Sequence, residues 1–318
     1  MEGLCGKGIW LAHSYDLQRA VEMATRIEGS HLLAKVGHGP HYFPESARGL
    51  VGRIRSLGFS PLAWLHVTDR APEEAAWTIV QSLELGYEAV ILYLGAALLT
   101  GRQLQPLAEA LRQAEVPAPR LLVATPPPAH LPDRAALEVL APLCQGGWMP
   151  LCFPIWGGTA DDMLDFEVYQ ALPELSLMWG RTPEIYPVLS PQFSRQAETP
   201  FLPEDLIPWV EAVMRHGVDF FSVYHAALAE KALWPILQTA TLRCQPAAVS
   251  VATPEEPGVI LPQPVYITVS ANDTVWGIIS RHGLSRTQFW EWNGHLWDSR
   301  GLPRDADYLQ AGWRVRVK

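Results

Sequence analysis

Strand-like and helix-like segments alternate through residues 1–244, and this alternation limits the folds open to the chain. Amphipathic stretches of helical length separate most of the apolar runs, as at 72–85 and 204–216. Eight such units at a spacing of roughly 30 residues predict a (β/α)8 barrel, a TIM-like α/β fold. The strand-like runs lie at 8–13, 31–36, 60–67, 89–94, 120–124, 147–154, 185–189 and 218–224.

Composition divides the chain into three parts. Residues 245–264 contain five prolines and show neither helical nor strand periodicity, so they predict a stiff, extended linker. The 318 residues are 48% hydrophobic, which is enough for a large core, and residues 1–244 match one α/β barrel in size. Residues 265–318 form a second, small domain in this prediction.

The carboxyl ends of the barrel strands are the candidate site, because barrels of this kind carry their chemistry there. The residues at these ends are mostly aromatic or basic. Aromatic rings near the barrel mouth could stack on sugar faces, as a glycan cleft requires. The predicted mouth residues are His13, Lys35, His38, Trp64, His66, Tyr93, Trp156, Tyr224 and His225.

The histidines at the strand ends raise the alternative of a zinc site with a metal-bound water. Metal-dependent barrels add carboxylate ligands and a His-x-His pair on one strand, and the strand ends here show neither. We therefore expect the histidines to be polar residues of a pocket, with no metal and no cofactor.

The C-terminal segment has the pattern of a small domain with two outer strands. Residues 265–269 and 313–317 alternate apolar and polar residues, and an apolar helical run lies between Thr274 and Gly283. The segment resembles a LysM module, a small α+β (βααβ) domain that binds N-acetylglucosamine-containing glycans such as peptidoglycan and chitin. The resemblance places the sugar in two loops and implies contacts from Asn272, Asp273, Thr274, His295, Leu296 and Trp297.

Two features of this segment depart from the module. Asn272 stands where glycine is usual, a position that asparagine tolerates because it adopts a left-handed backbone readily. The stretch 294–308 is longer than the module needs, which changes the outline of the expected groove.

Segments 32–44, 147–156 and 220–225 resemble lysozyme-type (family 25) glycoside hydrolases. In that family the first strand carries an Asp and the fourth carries Asp-x-Glu, and these carboxylates protonate the leaving oxygen and support the attack. The resemblance implies a pseudoenzyme, because a shift of register by one residue does not restore an acid. The matching positions hold Trp10, Tyr93 and Gly95, or Leu92 and Leu94 after the shift.

Replacement acids could come from the loop after the sixth strand. The competing interpretation, which we favour, is that Thr159 and the acids of the next turn form an ordinary helix N-cap. The fallback catalytic residues are Asp161, Asp162, Asp165 and Glu167.

The formal net charge of −9 argues against nucleic acid as a partner. No apolar run is long enough to span a bilayer. The first residues lack the basic-then-apolar build of a secretory signal, so we expect a cytoplasmic protein, or one that reaches a virion or the outside by a non-classical route.

The sequence favours a non-catalytic protein that binds cell-wall glycan. An active phage-lysin-like peptidoglycan glycosidase is one alternative. A structural adaptor of a phage tail or contractile injection machine, with protein partners in a larger assembly, is another.

The four cysteines show no Cys-x-x-Cys spacing, so they do not indicate a zinc or redox motif. If the barrel closes, Cys5 before its first strand and Cys244 after its last helix come near each other. Buried free thiols are the interpretation we favour, and a disulfide between these two cysteines is the alternative.

Overall fold

The computed structural model contains two compact units, Met1–Ala252 and Thr253–Lys318. It describes residues 3–39, 41–94, 99–131, 133–154, 159–190, 203–227, 229–244, 265–270, 275–282, 289–290, 292–294, 296 and 312–317. The predicted linker, 245–264, lies outside the described residues, so its boundaries stay a prediction.

Eight parallel strands close the first unit into a barrel, which confirms the predicted (β/α)8 fold. Neighbouring strands pair in chain order, and β1 pairs with both β2 and β9. The two-residue strand β3 (His41–Tyr42) is the exception, because it pairs antiparallel with β2 as a hairpin. The barrel strands are β1 (Gly6–Leu11), β2 (His31–His38), β4 (Ser60–His66), β5 (Val90–Tyr93), β6 (Leu121–Thr125), β7 (Gly147–Cys152), β8 (Val188–Leu189) and β9 (Phe220–Val223).

Helices lie between successive strands and pack around the barrel. Several begin with a proline in the first turn, where the missing N–H needs no partner. After β7 the chain first forms a π-helix, Asp162–Tyr169. No helix in the described ranges is both long and apolar enough to cross a membrane. The helices are α1 (Leu17–Arg26), α2 (Pro44–Ser56), α3 (Pro72–Leu85), α4 (Gly101–Gln113), α5 (Ala135–Leu140), α6 (Leu172–Trp179), α7 (Pro203–Arg215) and α8 (Trp234–Thr239).

The barrel has two cores, one inside the strands and one between strands and helices. In β1 Trp10 belongs to the inner core, whereas Ile9 and Leu11 belong to the outer core, as the period of two requires. Gly8 makes room for the inner core, since a Cβ there would lie 2.6 Å from the Phe220 ring. Both faces of the strands are therefore apolar, which is usual for parallel sheets covered on both sides.

A disulfide joins Cys5 to Cys244, with 5.5 Å between their Cα atoms. The expectation of free thiols is therefore wrong for this pair, because closure of the barrel brings the start of β1 next to the segment after the last helix. The other two cysteines, Cys144 and Cys152, are buried free thiols.

The second unit contains a two-stranded antiparallel sheet, β10 (Tyr266–Thr268) and β11 (Arg314–Arg316), and helix α9 (Val275–His282). Residues 289–290, 292–294 and 296 are also helical. The side-chain amide of Asn293 donates to the carbonyls of Phe289 and Arg316 and accepts from the Arg316 N–H. The core consists of Val269, Val275, Ile278, Phe289, Trp313, Val315 and Val317.

Candidate functional site

Large aromatic side chains fill the barrel interior toward the carboxyl ends of its strands. Trp10 of β1 lies between three other rings, with centroid distances of 5.4 Å to Trp64, 5.8 Å to Tyr93 and 5.5 Å to Tyr224. Phe153, just after β7, extends this group toward Tyr224 at 5.5 Å. Of the predicted mouth residues, the structure thus brings Trp64, Tyr93 and Tyr224 together.

Hydrogen bonds fix the two indole rings in this interior. The Trp10 N–H donates to the Ser222 hydroxyl at 2.8 Å, and the Trp64 N–H donates to the Leu11 carbonyl at 3.0 Å. Trp64 is only 2% exposed and Tyr93 only 7%. Neither ring therefore offers an open face to a sugar in this structure, because neighbouring rings already cover it.

Five rings form a continuous chain across the mouth. Their order is His38, His66, Tyr93, Tyr224 and His225, and successive centroids lie 4.3, 5.4, 5.5 and 5.3 Å apart. The peptide bond between Tyr224 and His225 is cis. The rings come from β2, β4, β5 and the end of β9, so this row of five rings crosses the barrel rather than following one strand.

Lys35 supplies the positive charge beside these rings. Its ammonium group lies 5.0 Å from the centre of the Trp64 ring, in cation–π geometry. Burial lowers the pKa of His66 to about 4, with His38 and Lys35 adding to the effect. Burial likewise lowers the pKa of His225 to about 4, again with Lys35 adding to it. Both imidazoles are therefore neutral at pH 7.

Two nitrogens of these imidazoles have no hydrogen-bond partner among the described residues. Nε2 of His66 and Nδ1 of His225 are covered from solvent, and no described residue forms a hydrogen bond with either. Buried polar atoms are satisfied in most proteins, so such atoms at a barrel mouth mark a place where a ligand or water can bind.

His13 lies apart from this chain of rings, stacked on Tyr15 at 4.8 Å. Its backbone N–H donates to the carboxylate of Asp16 at 3.1 Å. Asp16 is buried, and burial raises its pKa to about 6 although the His13 N–H and Arg19 act in the opposite direction. Sequence analysis missed this acid, which lies in a 3-10 helix, Ser14–Asp16, after β1.

The fallback acids after β7 are engaged with other side chains. Thr159 donates to Asp162 through its N–H and hydroxyl, at 2.9 and 2.8 Å, and accepts from the Asp162 N–H, which confirms the predicted N-cap. Asp161 and Asp165 form ion pairs with Arg215, and Asp165 also contacts His216.

Glu167, the last fallback acid, lies 2.8 Å from Nε2 of His130. His130 ends a short 3-10 helix after β6, and sequence analysis did not single it out. The pair joins this 3-10 helix to the π-helix after β7, and both side chains are about one quarter exposed.

Several predicted residues lie outside the described ranges: Trp156 and Gly95 of the barrel, and Asn272, Asp273, Thr274, His295 and Trp297 of the second unit. Leu296 is described, and it packs half-buried against the core of that unit. Among the residues that the structure describes, no three His, Cys, Asp or Glu side chains come together as metal ligands would.

Residues 267–318 match the family model of the LysM domain, so the C-terminal part of the chain is a LysM domain. No curated protein sequence matches the chain.

Solved structures with a similar fold include lytic enzymes. The spore cortex-lytic enzyme SleL of Bacillus cereus is 9% identical, with a TM-score of 0.49 over 77% of each chain. A chitinase of Chromobacterium violaceum is 11% identical, with a TM-score of 0.46 over 74% of this chain and 99% of that chain. A dihydrodipicolinate synthase of Agrobacterium tumefaciens is 14% identical, with a TM-score of 0.42 over 73% and 72%. Because the sequence identities and TM-scores are this low, the similarity to these structures assigns no activity to the chain.

Proposed function

We propose that this protein is a non-catalytic binder of cell-wall glycan, in which the LysM domain holds the ligand and the barrel is a pseudo-glycosidase scaffold. The match of residues 267–318 to the LysM family carries the proposal. Such a domain fits a glycan that contains N-acetylglucosamine, and peptidoglycan is the ligand we propose.

The composition of the barrel strands supports a non-catalytic role. None of the nine strands β1 to β9 contains an Asp or Glu. Glycoside hydrolysis needs a proton donor and a second carboxylate a few ångströms away. The fourth barrel strand, β5, ends in Tyr93 where the related glycosidases carry an acid. Burial raises the pKa of the Tyr93 phenol, so this group is a poor proton donor to a leaving oxygen at neutral pH.

A combined experiment tests both halves of the proposal. The full chain is incubated with purified peptidoglycan, and retention on the sediment and clearing of turbidity are measured together. We expect retention without clearing. Clearing that is lost on Asp16→Asn, Asp161→Asn or Asp165→Asn would instead establish an active glycosidase and identify its acid.

The location of binding is tested with chitin oligomers added to the full chain. We expect Trp297→Ala to weaken binding, because an aromatic ring in a LysM loop can cover the apolar face of a sugar. Trp77→Ala is the matched control, since Trp77 is a half-exposed tryptophan of the barrel helix α3. Binding that survives Trp297→Ala but fails with Trp77→Ala would move the glycan site to the barrel.

Retention depends on the number of domains displayed together, because one LysM domain offers a shallow site and gains from multivalency. The same protein coupled densely to beads should hold peptidoglycan fragments better than the dilute protein does. A lack of binding in both formats would favour the adaptor alternative, in which the domain docks to protein.

A further inference from the structure

The four cysteines of the chain fall into two chemical classes. Cys144 and Cys152 are fully buried, and burial raises the pKa of both thiols. Cys5 and Cys244, which form the disulfide, are partly exposed. The thiolate is the reactive form of cysteine, and it must be accessible to its reagent. Of the four, the second pair is therefore the one placed to react with a molecule in solution.

Cys5 and Cys244 lie where the barrel closes, at the pairing of the first strand, β1, with the last, β9. Gly6, next to Cys5, donates its N–H to the Asp219 carbonyl at 2.8 Å. Arg243, next to Cys244, donates from its guanidinium to the Asp219 carboxylate at 2.8 Å. Both neighbours of the cysteines thus bind the residue that precedes β9.

These contacts involve no sulfur atom, so they do not depend on the disulfide. The folded barrel holds the two thiols within reach of each other, whereas 239 positions of free chain separate them in the unfolded state. Closing a loop of that length costs entropy, and the folded barrel has already lost this entropy. Folding should therefore favour oxidation of this pair.

We propose that Cys5 and Cys244 are an oxidation site of the folded barrel, and that the reaction partner is a disulfide carrier. The thiolate of one cysteine attacks the carrier disulfide, forms a mixed disulfide and releases one carrier thiolate. The thiolate of the other cysteine attacks the mixed disulfide, forms the Cys5–Cys244 bond and releases the second carrier thiolate. The protein thiols lose two electrons and two protons, and the carrier is reduced to two thiols.

Disulfide carriers of this kind act in oxidising compartments, so the proposal places maturation of the barrel in such a compartment. The proposal does not use the LysM domain. It therefore holds or fails separately from the proposed glycan binding.

Oxidised glutathione is the probe carrier. The full chain is reduced, freed of reductant and equilibrated with oxidised and reduced glutathione at a range of ratios, in buffer and in concentrated urea. Free thiols are then blocked with an alkylating reagent and located by mass spectrometry.

In buffer we expect Cys5 and Cys244 to become joined while Cys144 and Cys152 stay thiols. The equilibrium constant for oxidation of the pair should be roughly 1,000-fold larger in buffer than in urea, because the folded chain has already closed the loop.

Single variants separate the two steps of the exchange. Cys244→Ala should stop the reaction after the first step, so that Cys5 accumulates as the mixed disulfide with glutathione. Cys152→Ala is the matched control, because it also removes one thiol, and it should form the Cys5–Cys244 bond as the parent does. Cys144→Ala is a second control of the same kind. Circular dichroism of each reduced variant establishes that the barrel is folded.

Three results would overturn the proposal. Equal equilibrium constants in buffer and urea would show that the fold does not bring the thiols together. Glutathione bound to both Cys5 and Cys244 of the parent, without the bond between them, would show that they are too far apart to exchange. Reaction of Cys144 or Cys152 at the same rate would show that the site is not selective.

The compartment is tested by alkylation of intact producing cells before lysis. We expect Cys5 and Cys244 to be joined in the protein recovered from these cells. Free thiols at both positions would overturn the placement in an oxidising compartment.

Discussion

The ammonium group of Lys7, in the first barrel strand, donates a hydrogen bond to the backbone carbonyl of Leu237, near the end of the last barrel helix, at 3.1 Å. The same group donates to the carbonyls of Ile27 at 3.0 Å and Gln238 at 3.1 Å. Carbonyls at helix C-termini lack partners within the helix and carry partial negative charge. One buried cation therefore ties the ends of α1 and α8 to β1.

Replacement of Lys7 by methionine keeps the volume and removes the three donors. We expect Lys7→Met to lower the free energy of unfolding by roughly 3 kcal/mol or more, because it leaves buried carbonyls unsatisfied. Urea unfolding at pH 7 measures the loss. The exposed Lys231→Met should change stability by no more than about 0.5 kcal/mol, and an equal loss in both variants would contradict the assigned role.

His31 should make the barrel less stable in acid. Burial lowers the pKa of His31 to about 4, so the folded chain takes up its proton only below that value, whereas the unfolded chain does so below 6.5. The unfolded state holds more protons between these values, and stability is lost as the pH falls from 6.5 to 4, by roughly 3 kcal/mol for this group. His31→Gln should reduce the difference in unfolding free energy between pH 7 and pH 4.5. The exposed His41→Gln should keep it.

Asp16 should make the barrel less stable as the pH rises, which is the opposite of the effect of His31. Its pKa is raised from 3.8 to about 6 by burial, so the folded state holds the extra proton in that window and stability falls as the pH rises through it. We expect Asp16→Asn to gain stability relative to the parent between pH 4 and pH 7, by roughly 2–3 kcal/mol. The exposed Asp69→Asn is the control. A difference between Asp16→Asn and the parent that does not vary with pH would refute the assignment.

The disulfide should contribute strongly to the stability of the barrel, because its two cysteines are 239 positions apart. Closing a loop of this length in the unfolded chain is expected to stabilise the fold by roughly 4–5 kcal/mol. We expect the double variant Cys5→Ser, Cys244→Ser to lose about this amount in denaturant unfolding. Reductant should lower the stability of the parent to that of the variant and leave the variant unchanged.

Asn293 should be essential to the LysM domain. It is only 1% exposed, and its amide satisfies backbone groups of Phe289 and Arg316. Asn293→Ala should destabilise the domain by roughly 3 kcal/mol, since three hydrogen bonds are lost in its interior. Melting of the domain can be followed by NMR in the full chain. The exposed Thr268→Ala should melt at the parent temperature.

Strand periodicity was enough to predict the barrel, because eight apolar runs separated by helical stretches allow few other arrangements. The same periodicity could not assign side chains to the two cores. Both faces of a buried parallel strand are apolar, so nothing local in β4 shows that Trp64 is covered by Trp10 and Tyr93 rather than open to a sugar.

The parts of the site that sequence analysis missed depend on contacts between segments that are distant in the sequence. His130 and Glu167 lie 37 positions apart and meet only after the helical segments following β6 and β7 have folded. Asp16 could have been found, because an acid three residues after the end of a strand region is placed to accept the His13 N–H. Its burial, which raises its pKa, is a property of the tertiary structure.

The disulfide also decides how the barrel responds to mechanical force. Tension applied along the backbone between residues before Cys5 and residues after Cys244 passes through the sulfur–sulfur bond, because this bond joins the two points directly. Residues 6–243 then lie outside the load path. A pull between residues 1–4 and the LysM domain would therefore leave the barrel strands unstretched, and the hydrogen bonds between these strands would not bear the load.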